Sequence, residues 1–275
     1  MNPITRFAPS PTGDLHLGHV YAAKVAHDLA RDAGGCFLLR QEDIDTGRVK
    51  PEFYRHIEED LEWLGLRWDG EILLQSERRK AYDDTLEALK NMGLIYPCFC
   101  TRKDIQAALS APHGSHAEIY SGTCRALSTQ ETFERIAAGE AHSWRFHVAK
   151  AAEIHGELSF HDLRFGKIHV DTSVNGDAVL ARKDIGIAYH LAVVVDDHFQ
   201  NITHVTRGED LLGATHIHRQ LQSILGFREP HYLHHALVRD EYGTRLAKRD
   251  HAHSIRTLRE QGYSPDEVLT MVNIS

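Results

Sequence analysis

The stretch Pro9-Ser10-Pro11-Thr12-Gly13-Asp14-Leu15-His16-Leu17-Gly18-His19 carries the clearest chemistry in this chain of 275 residues. His16 and His19 stand three apart, so they share one face of a first helical turn. Both can donate hydrogen bonds to phosphate oxygens. Gly18 lets a flat or charged ligand approach the backbone closely. A strand-to-helix junction adds free backbone N–H groups and the positive end of a helix dipole, which favour an anion. The segment reads as a phosphate site.

A second cluster is Cys98-Phe99-Cys100 with Tyr120-Ser121-Gly122-Thr123-Cys124. Four cysteines in so long a chain are not a disulfide framework, and Cys98 and Cys100 stand too close for an ordinary bridge. Three thiolates and one further ligand suit tetrahedral Zn²⁺ in a structural role. Chemistry alone leaves the fourth ligand open between Tyr120, His113 and His116. Cys36 lies in an apolar stretch and reads as a core residue.

These groups need a frame. Ile4–Ala8 reads as a strand, Leu15–Ala33 as a helix with Tyr21, Val25 and Leu29 on one stripe, and Cys36–Arg40 as a second strand. Gly34-Gly35 ends the helix. The pattern predicts a βαβ unit and a parallel sheet. Pro51 opens a helix whose apolar face holds Phe53, Ile57, Leu61 and Leu64. Another helix covers about Glu77–Met92. Residues 96–175 change character, with short β-like pieces at Trp144–Val148 and Ile168–Asp171, a loop at Ser110–His116 and three of the cysteines, and read as an insertion. Leu191–Val195 reads as a buried strand, and Ile217, Leu221 and Leu225 as one helix face. Ser264-Pro265-Asp266-Glu267 is a helix start with a capping box.

Hydrophobic residues make up 42% and charged residues 25%, which is globular usage and excludes disorder. No apolar run approaches the roughly 18 residues of a membrane span. The N-terminal residues show no apolar signal segment, so a cytoplasmic location is expected. The net charge of −8 argues against nucleic acid as a partner when taken alone. Its distribution argues less strongly: residues 42–71 carry ten acids and four bases, whereas 239–259 carry six bases and three acids.

Four segments together resemble the class I aminoacyl-tRNA synthetases of the glutamyl type. Arg6-Phe7-Ala8-Pro9-Ser10-Pro11-Thr12-Gly13 with His16-Leu17-Gly18-His19 is similar to the family's "HIGH" segment. Arg40-Gln41-Glu42-Asp43-Ile44-Asp45-Thr46-Gly47-Arg48 resembles its R-x-E-D-x-D-x-x-R strand end. Tyr189–Asp197 and His204–Asp210 resemble its second-half segments. All four occur in family order. Arg245-Leu246-Ala247-Lys248-Arg249 falls where the family has "KMSKS". It departs from that pattern, with Arg for the first Lys and Ala for the Ser, but keeps the second lysine as Lys248.

The resemblance implies an α/β fold: a Rossmann-like parallel-sheet core, an inserted zinc-bearing α+β subdomain and a short helical C-terminal segment. The expected division is 1–95 and 176–238 for the two halves of the catalytic domain, 96–175 for the insertion, and 239–275 for the nucleotide loop and helical segment. It implies activation of glutamate with ATP and Mg²⁺. Arg6, Ala8, Ser10, Glu42, Tyr189 and Arg207 would bind glutamate. His16, Gly18, His19, Arg245 and Lys248 would bind ATP, with His16, His19 and Lys248 catalytic. Arg6 and Arg207 suit carboxylates and Glu42 suits an ammonium group, although Arg40, Glu42 and Asp43 also admit a structural ion pair. C-x-C followed by Y-x-x-x-C resembles a zinc pattern of the family and selects Tyr120 as fourth ligand. Only about 26 residues follow Arg249, so an anticodon-binding domain is expected to be absent. That narrows the resemblance to shortened members. They activate glutamate without tRNA and transfer it to queuosine at the wobble position of the tRNA(Asp) anticodon. The alternative is a truncated catalytic domain that charges the 3′ end of tRNA(Glu). A monomer away from membranes is expected.

Overall fold

The computed structural model describes residues 2–101, 103–104, 120, 122–182, 186–238 and 254–272. The expected loop at Ser110–His116, with His113 and His116, lies outside these residues, as do Arg245 and Lys248.

The βαβ unit forms as expected. Strand β1 (Ile4–Phe7) runs into helix α1 (Leu17–Arg31), which returns to β2 (Cys36–Gln41). The two strands are parallel, Ile4 opposite Cys36 and Phe7 opposite Leu39. A short β3 (Leu73–Leu74) extends the sheet in parallel beyond β2. The turn between α1 and β2 needs glycine, because a Cβ on Gly35 would sit 2.0 Å from the Pro3 carbonyl oxygen.

On its other side β1 meets β10 (His204–Gly208): the Thr203 N–H donates to the Ile4 carbonyl at 2.9 Å, and the Ile4 N–H to the Thr203 hydroxyl at 2.7 Å. Parallel to β10 runs β11 (His231–His235), followed by β6 (Ser159–Asp162) in parallel and β7 (Gly166–His169) antiparallel. Strand β1 is therefore flanked on one side by β2, the next strand in the chain, and on the other by β10, which follows only after all the intervening elements. That is the switch point at which α/β sheets place ligands, beyond the carboxyl ends of the strands. Helices α2 (Pro51–Trp63) and α3 (Arg79–Asn91) follow the sequence reading, with Pro51 in the first turn and Ile57, Leu61 and Leu64 buried.

Residues 96–175 contribute to two sheets. Strands β4 (Ile95–Cys98), β5 (Ser143–Phe146), β8 (Val179–Arg182) and β9 (Gly186–Ile187) form an antiparallel sheet, whereas the β6–β7 hairpin joins β10 and β11. Helix α4 (Thr129–Ala137) is capped by Ser128 and Glu131 and buries none of its residues; α5 (Val148–His155) buries Val148 and Ala151.

Three expectations are corrected. Leu191–Val195 is no strand but lies in helix α6 (Tyr189–Phe199). Leu191 to Val195 are apolar and buried at every position, so the run has no helical stripe to read. Cys36 is exposed, because it opens β2 at the strand's edge while Phe37 and Leu39 point inward. The buried face of α1 is not Tyr21, Val25 and Leu29 but Leu17, Val20, Ala23, Ala26 and Ala30, since small side chains let the helix lie close on the sheet. Helix α7 (Leu212–Ile224) buries Ile217 and Leu221. Helices α8 (Ile255–Glu260) and α9 (Pro265–Met271) pack Ile255, Leu258, Val268 and Val272 against α1, and the capping box at Ser264 and Glu267 is present. Among the described residues no helix is long and apolar enough to cross a membrane.

Candidate active site

A cleft of about 690 Å³ opens at the carboxyl ends of β1 and β10. Arg6, Ala8 and Ser10 line it from the end of β1, His16, Gly18 and His19 from the start of α1, and Glu42 from the end of β2. Tyr189 comes from α6 and Arg207 from β10. The structure thus brings together all nine expected cleft residues that it describes. Val238 also lines the cleft, and Ser254 forms a β-bridge with His16. Chain on both sides of 239–253 therefore borders the site.

The two histidines cap α1 reciprocally. His16 Nδ1 accepts the Gly18 N–H at 3.1 Å, and His19 Nδ1 accepts the His16 N–H at 3.3 Å. Their rings lie 3.8 Å apart between centroids, tilted by 30°. With Nδ1 an acceptor in both, each proton sits on Nε2, which makes both rings hydrogen-bond donors there.

The two arginines differ in charge balance. Arg6 gives Nε and a terminal nitrogen to Asp197 at 2.9 and 3.3 Å, and a further bond to the Thr206 carbonyl at 3.1 Å. Asp197 also pairs with the fully buried Arg40 at 2.8 Å, and Arg40 reaches Glu42 at 3.5 Å. The structural ion pair of Arg40 and Glu42 exists, then, and Glu42 still lines the cleft. Burial raises the Glu42 carboxyl above its ordinary value, and Arg40 and Arg6 oppose that rise only in part. Asp43 instead accepts from Tyr54 at 2.8 Å and from Ser76, and braces the loop after β2. Arg207 donates to His234 at 3.2 Å, His218 at 3.0 Å, the Tyr189 hydroxyl at 3.4 Å and Thr215 at 2.5 Å. No carboxylate among the described residues contacts it.

Asp197, His218, His234 and Thr215 escaped the sequence reading. A helical reading of 189–199 would have found Asp197, because positions eight apart return to one helix face and so align it with Tyr189.

In the cysteine cluster, Cys98, Cys100 and Cys124 bring their sulfurs within 4.8 Å of one another, with Cys100 and Cys124 at 3.5 Å. Tetrahedral zinc with bonds of about 2.3 Å separates its sulfurs by about 3.8 Å. The Tyr120 hydroxyl lies 3.4 Å from Cys98 Sγ and 3.7 Å from Cys100 Sγ. Arg145 covers the Tyr120 ring at 3.8 Å, while burial, and then the hydrogen bond with Cys98, raises the Tyr120 hydroxyl above its ordinary value when no metal is bound. The donor set fits zinc.

With histidines at a helix start and Arg6 and Arg207 in one cleft beyond a parallel sheet, the fold is that of a synthetase catalytic domain. The chain belongs to the class I tRNA synthetases (E and Q), whose catalytic-domain model matches residues 4–274. It is 46% identical to the Glutamyl-Q tRNA(Asp) synthetase of Rhodobacter capsulatus, over 98% of this chain and 100% of the relative. To the protein of the same name from Nitratidesulfovibrio vulgaris it is 42% identical, over 94% of this chain and 81% of the relative. A crystal structure of a glutamate tRNA ligase from Elizabethkingia meningosepticum, in complex with its amino acid, superposes with a TM-score of 0.84 at 31% identity; the match covers 100% of this chain and 61% of that one.

Proposed function

We propose that the protein activates L-glutamate with ATP, without requiring tRNA, and transfers the glutamyl group to queuosine in the tRNA(Asp) anticodon. One observation carries the substrate reading: Arg207, in the cleft, is a buried guanidinium without a carboxylate partner among the described residues. A buried cation of this kind calls for an anion and leaves an uncompensated charge when glutamine takes glutamate's place. The name shared by the Rhodobacter and Nitratidesulfovibrio relatives supports the acceptor.

In the first step a glutamate carboxylate oxygen attacks the α-phosphorus of ATP, and pyrophosphate leaves. Arg207, Arg6, Ser10 and Tyr189 hold the substrate's carboxylates beside Ala8, and Glu42 takes its ammonium group. Gly18 admits the nucleotide, and the Nε2–H groups of His16 and His19 meet phosphate oxygens. Arg245 and Lys248 serve the same phosphates, a role supported by the cleft-bordering Val238 and Ser254. Mg²⁺ would arrive with the ATP phosphates and neutralise their charge. In the second step a hydroxyl of queuosine's cyclopentene diol attacks the glutamyl carbonyl carbon, and AMP leaves. A base from a single-stranded loop can be splayed into such a cleft.

Zinc held by Cys98, Cys100, Tyr120 and Cys124 would be structural. We take 1–95 and 176–238 as the catalytic halves, 96–175 as the zinc-bearing insertion and 239–275 as the nucleotide loop and helices, with the β6–β7 hairpin of the insertion paired back onto the catalytic sheet and β8–β9 onto the sheet of β4 and β5. The protein works as a cytoplasmic monomer. A second reading, charging of the 3′ end of tRNA(Glu), draws on the likeness to the Elizabethkingia ligase. Glutamate-dependent ATP–pyrophosphate exchange without RNA tests the proposal: exchange supports it, and exchange that appears only with tRNA(Glu) favours the second reading.

A further inference from the structure

We infer that His218 and His234 are positioning residues for amino-acid selection: as uncharged acceptors they fix the Arg207 guanidinium and leave its charge for the substrate's side-chain carboxylate. The inference rests on the proposed role of Arg207.

A guanidinium has five N–H donors and needs acceptors wherever it is buried. An aspartate or glutamate is the usual answer, and Arg6 has one in Asp197. Arg207 is built differently. Its Nε donates to His234 Nε2, one terminal nitrogen to His218 Nδ1, and the other to the Thr215 hydroxyl. Each partner orients the group, and none neutralises it.

The ring tautomers are fixed from behind. His234 Nδ1 lies 2.6 Å from Asp162 Oδ2, so it carries the proton and leaves Nε2 as acceptor. Asp162 is held as an anion by the backbone N–H groups of Arg164, Phe165 and His234, at 2.9, 3.0 and 3.1 Å. His218 Nε2 meets His190 Nδ1 at 3.1 Å, which leaves His218 Nδ1 as the acceptor for Arg207. Both rings stay neutral at working pH. Burial, then the nearby Arg207 charge, lowers His234 to about 4 and takes His218 well below its ordinary value. Asp162 thus lies one imidazole away from Arg207, where it orients the arginine without pairing with it. The consequence is selectivity: a carboxylate in the first circle around Arg207 would satisfy it permanently, and an amide substrate would then bind about as well as an acid.

Calorimetric titration of the intact protein with glutamate and with glutamine tests this. His218→Glu, or Thr215→Asp if the first variant does not fold, places a carboxylate against Arg207. The glutamate-over-glutamine affinity ratio should fall at least about 100-fold. His218→Gln keeps a neutral acceptor and should recover most of that ratio. A simple packing defect would weaken both ligands and leave the ratio alone. An unchanged ratio in both acidic variants overturns the inference, as does an equal loss in His218→Gln. Arg207→Gln separates the two levels: if it leaves glutamate affinity unchanged, the proposed role of Arg207 has failed; if it removes the preference while the acidic variants keep it, only the inference has failed.

Discussion

His19 Nδ1 accepts the backbone N–H of His16, while the His16 ring accepts from Gly18, so the two histidines cap the helix they open. The cap and the chemistry are separable. Asparagine is a good N-cap, so His16→Asn should change stability by less than about 1 kcal/mol. It removes one Nε2–H donor from the cleft. Glutamate-dependent pyrophosphate exchange should then fall by about 100-fold or more, the usual cost of one lost donor to a developing charge. A folded variant with normal exchange would remove His16 from the proposed machinery.

Glu42 sets a pH dependence. Its carboxyl is raised by burial, so it takes up a proton at a pH above the ordinary carboxylate range. The protonated form has no charge for an ammonium group. The KM for glutamate should therefore rise as pH falls through that raised value, with kcat less affected. Glu42→Gln should show a high KM throughout and lose the acid limb. A profile identical to wild type would contradict the role.

The cysteine cluster predicts a metal content. Protein purified without chelator should carry about one zinc per chain by elemental analysis. Cys98→Ser and Cys124→Ser should lose it, and Tyr120→Phe should weaken it if the hydroxyl is the fourth ligand. Retention of full zinc in Tyr120→Phe would point to His113 or His116.

Asp60 offers a stability test away from the cleft. Both its carboxylate oxygens are buried and have no hydrogen-bond partner among the described residues, and burial raises its pKa from 3.8 to about 6. The folded state holds a proton that the unfolded state has already released in that window. Stability therefore falls as pH rises from about 4 to about 6, and stays lower above it. The cost is at most about 3 kcal/mol. Asp60→Asn should raise the Tm by several degrees near ~pH 8 and hardly at all near ~pH 4. An equal gain at both would show that ionisation is not the cause.

The histidine end of the cleft was legible from a local pattern, whereas Arg6, Ala8, Ser10, Glu42, Tyr189 and Arg207 were assigned through the resemblance of their segments to the family. Pro9, Gly13 and Gly18 mark where β1 ends and α1 begins, and the His16/His19 spacing is a local feature. The helix 189–199 was not legible, since a run buried on every side carries no period. The shell of Arg207 was hidden for another reason. His234 on β11 and Asp162 on β6 reach Arg207 through the pairing of β6, β11 and β10, and His218 reaches it from helix α7. The close face of α1 was misread because alanine carries little hydrophobic signal, though it packs best against a sheet.

The most direct test of the account is transfer of labelled glutamate, with ATP, to three RNAs: tRNA(Asp) bearing queuosine, tRNA(Asp) lacking it, and tRNA(Glu). The account predicts label on the first alone. Label on tRNA(Glu), with none on queuosine-bearing tRNA(Asp), would contradict it.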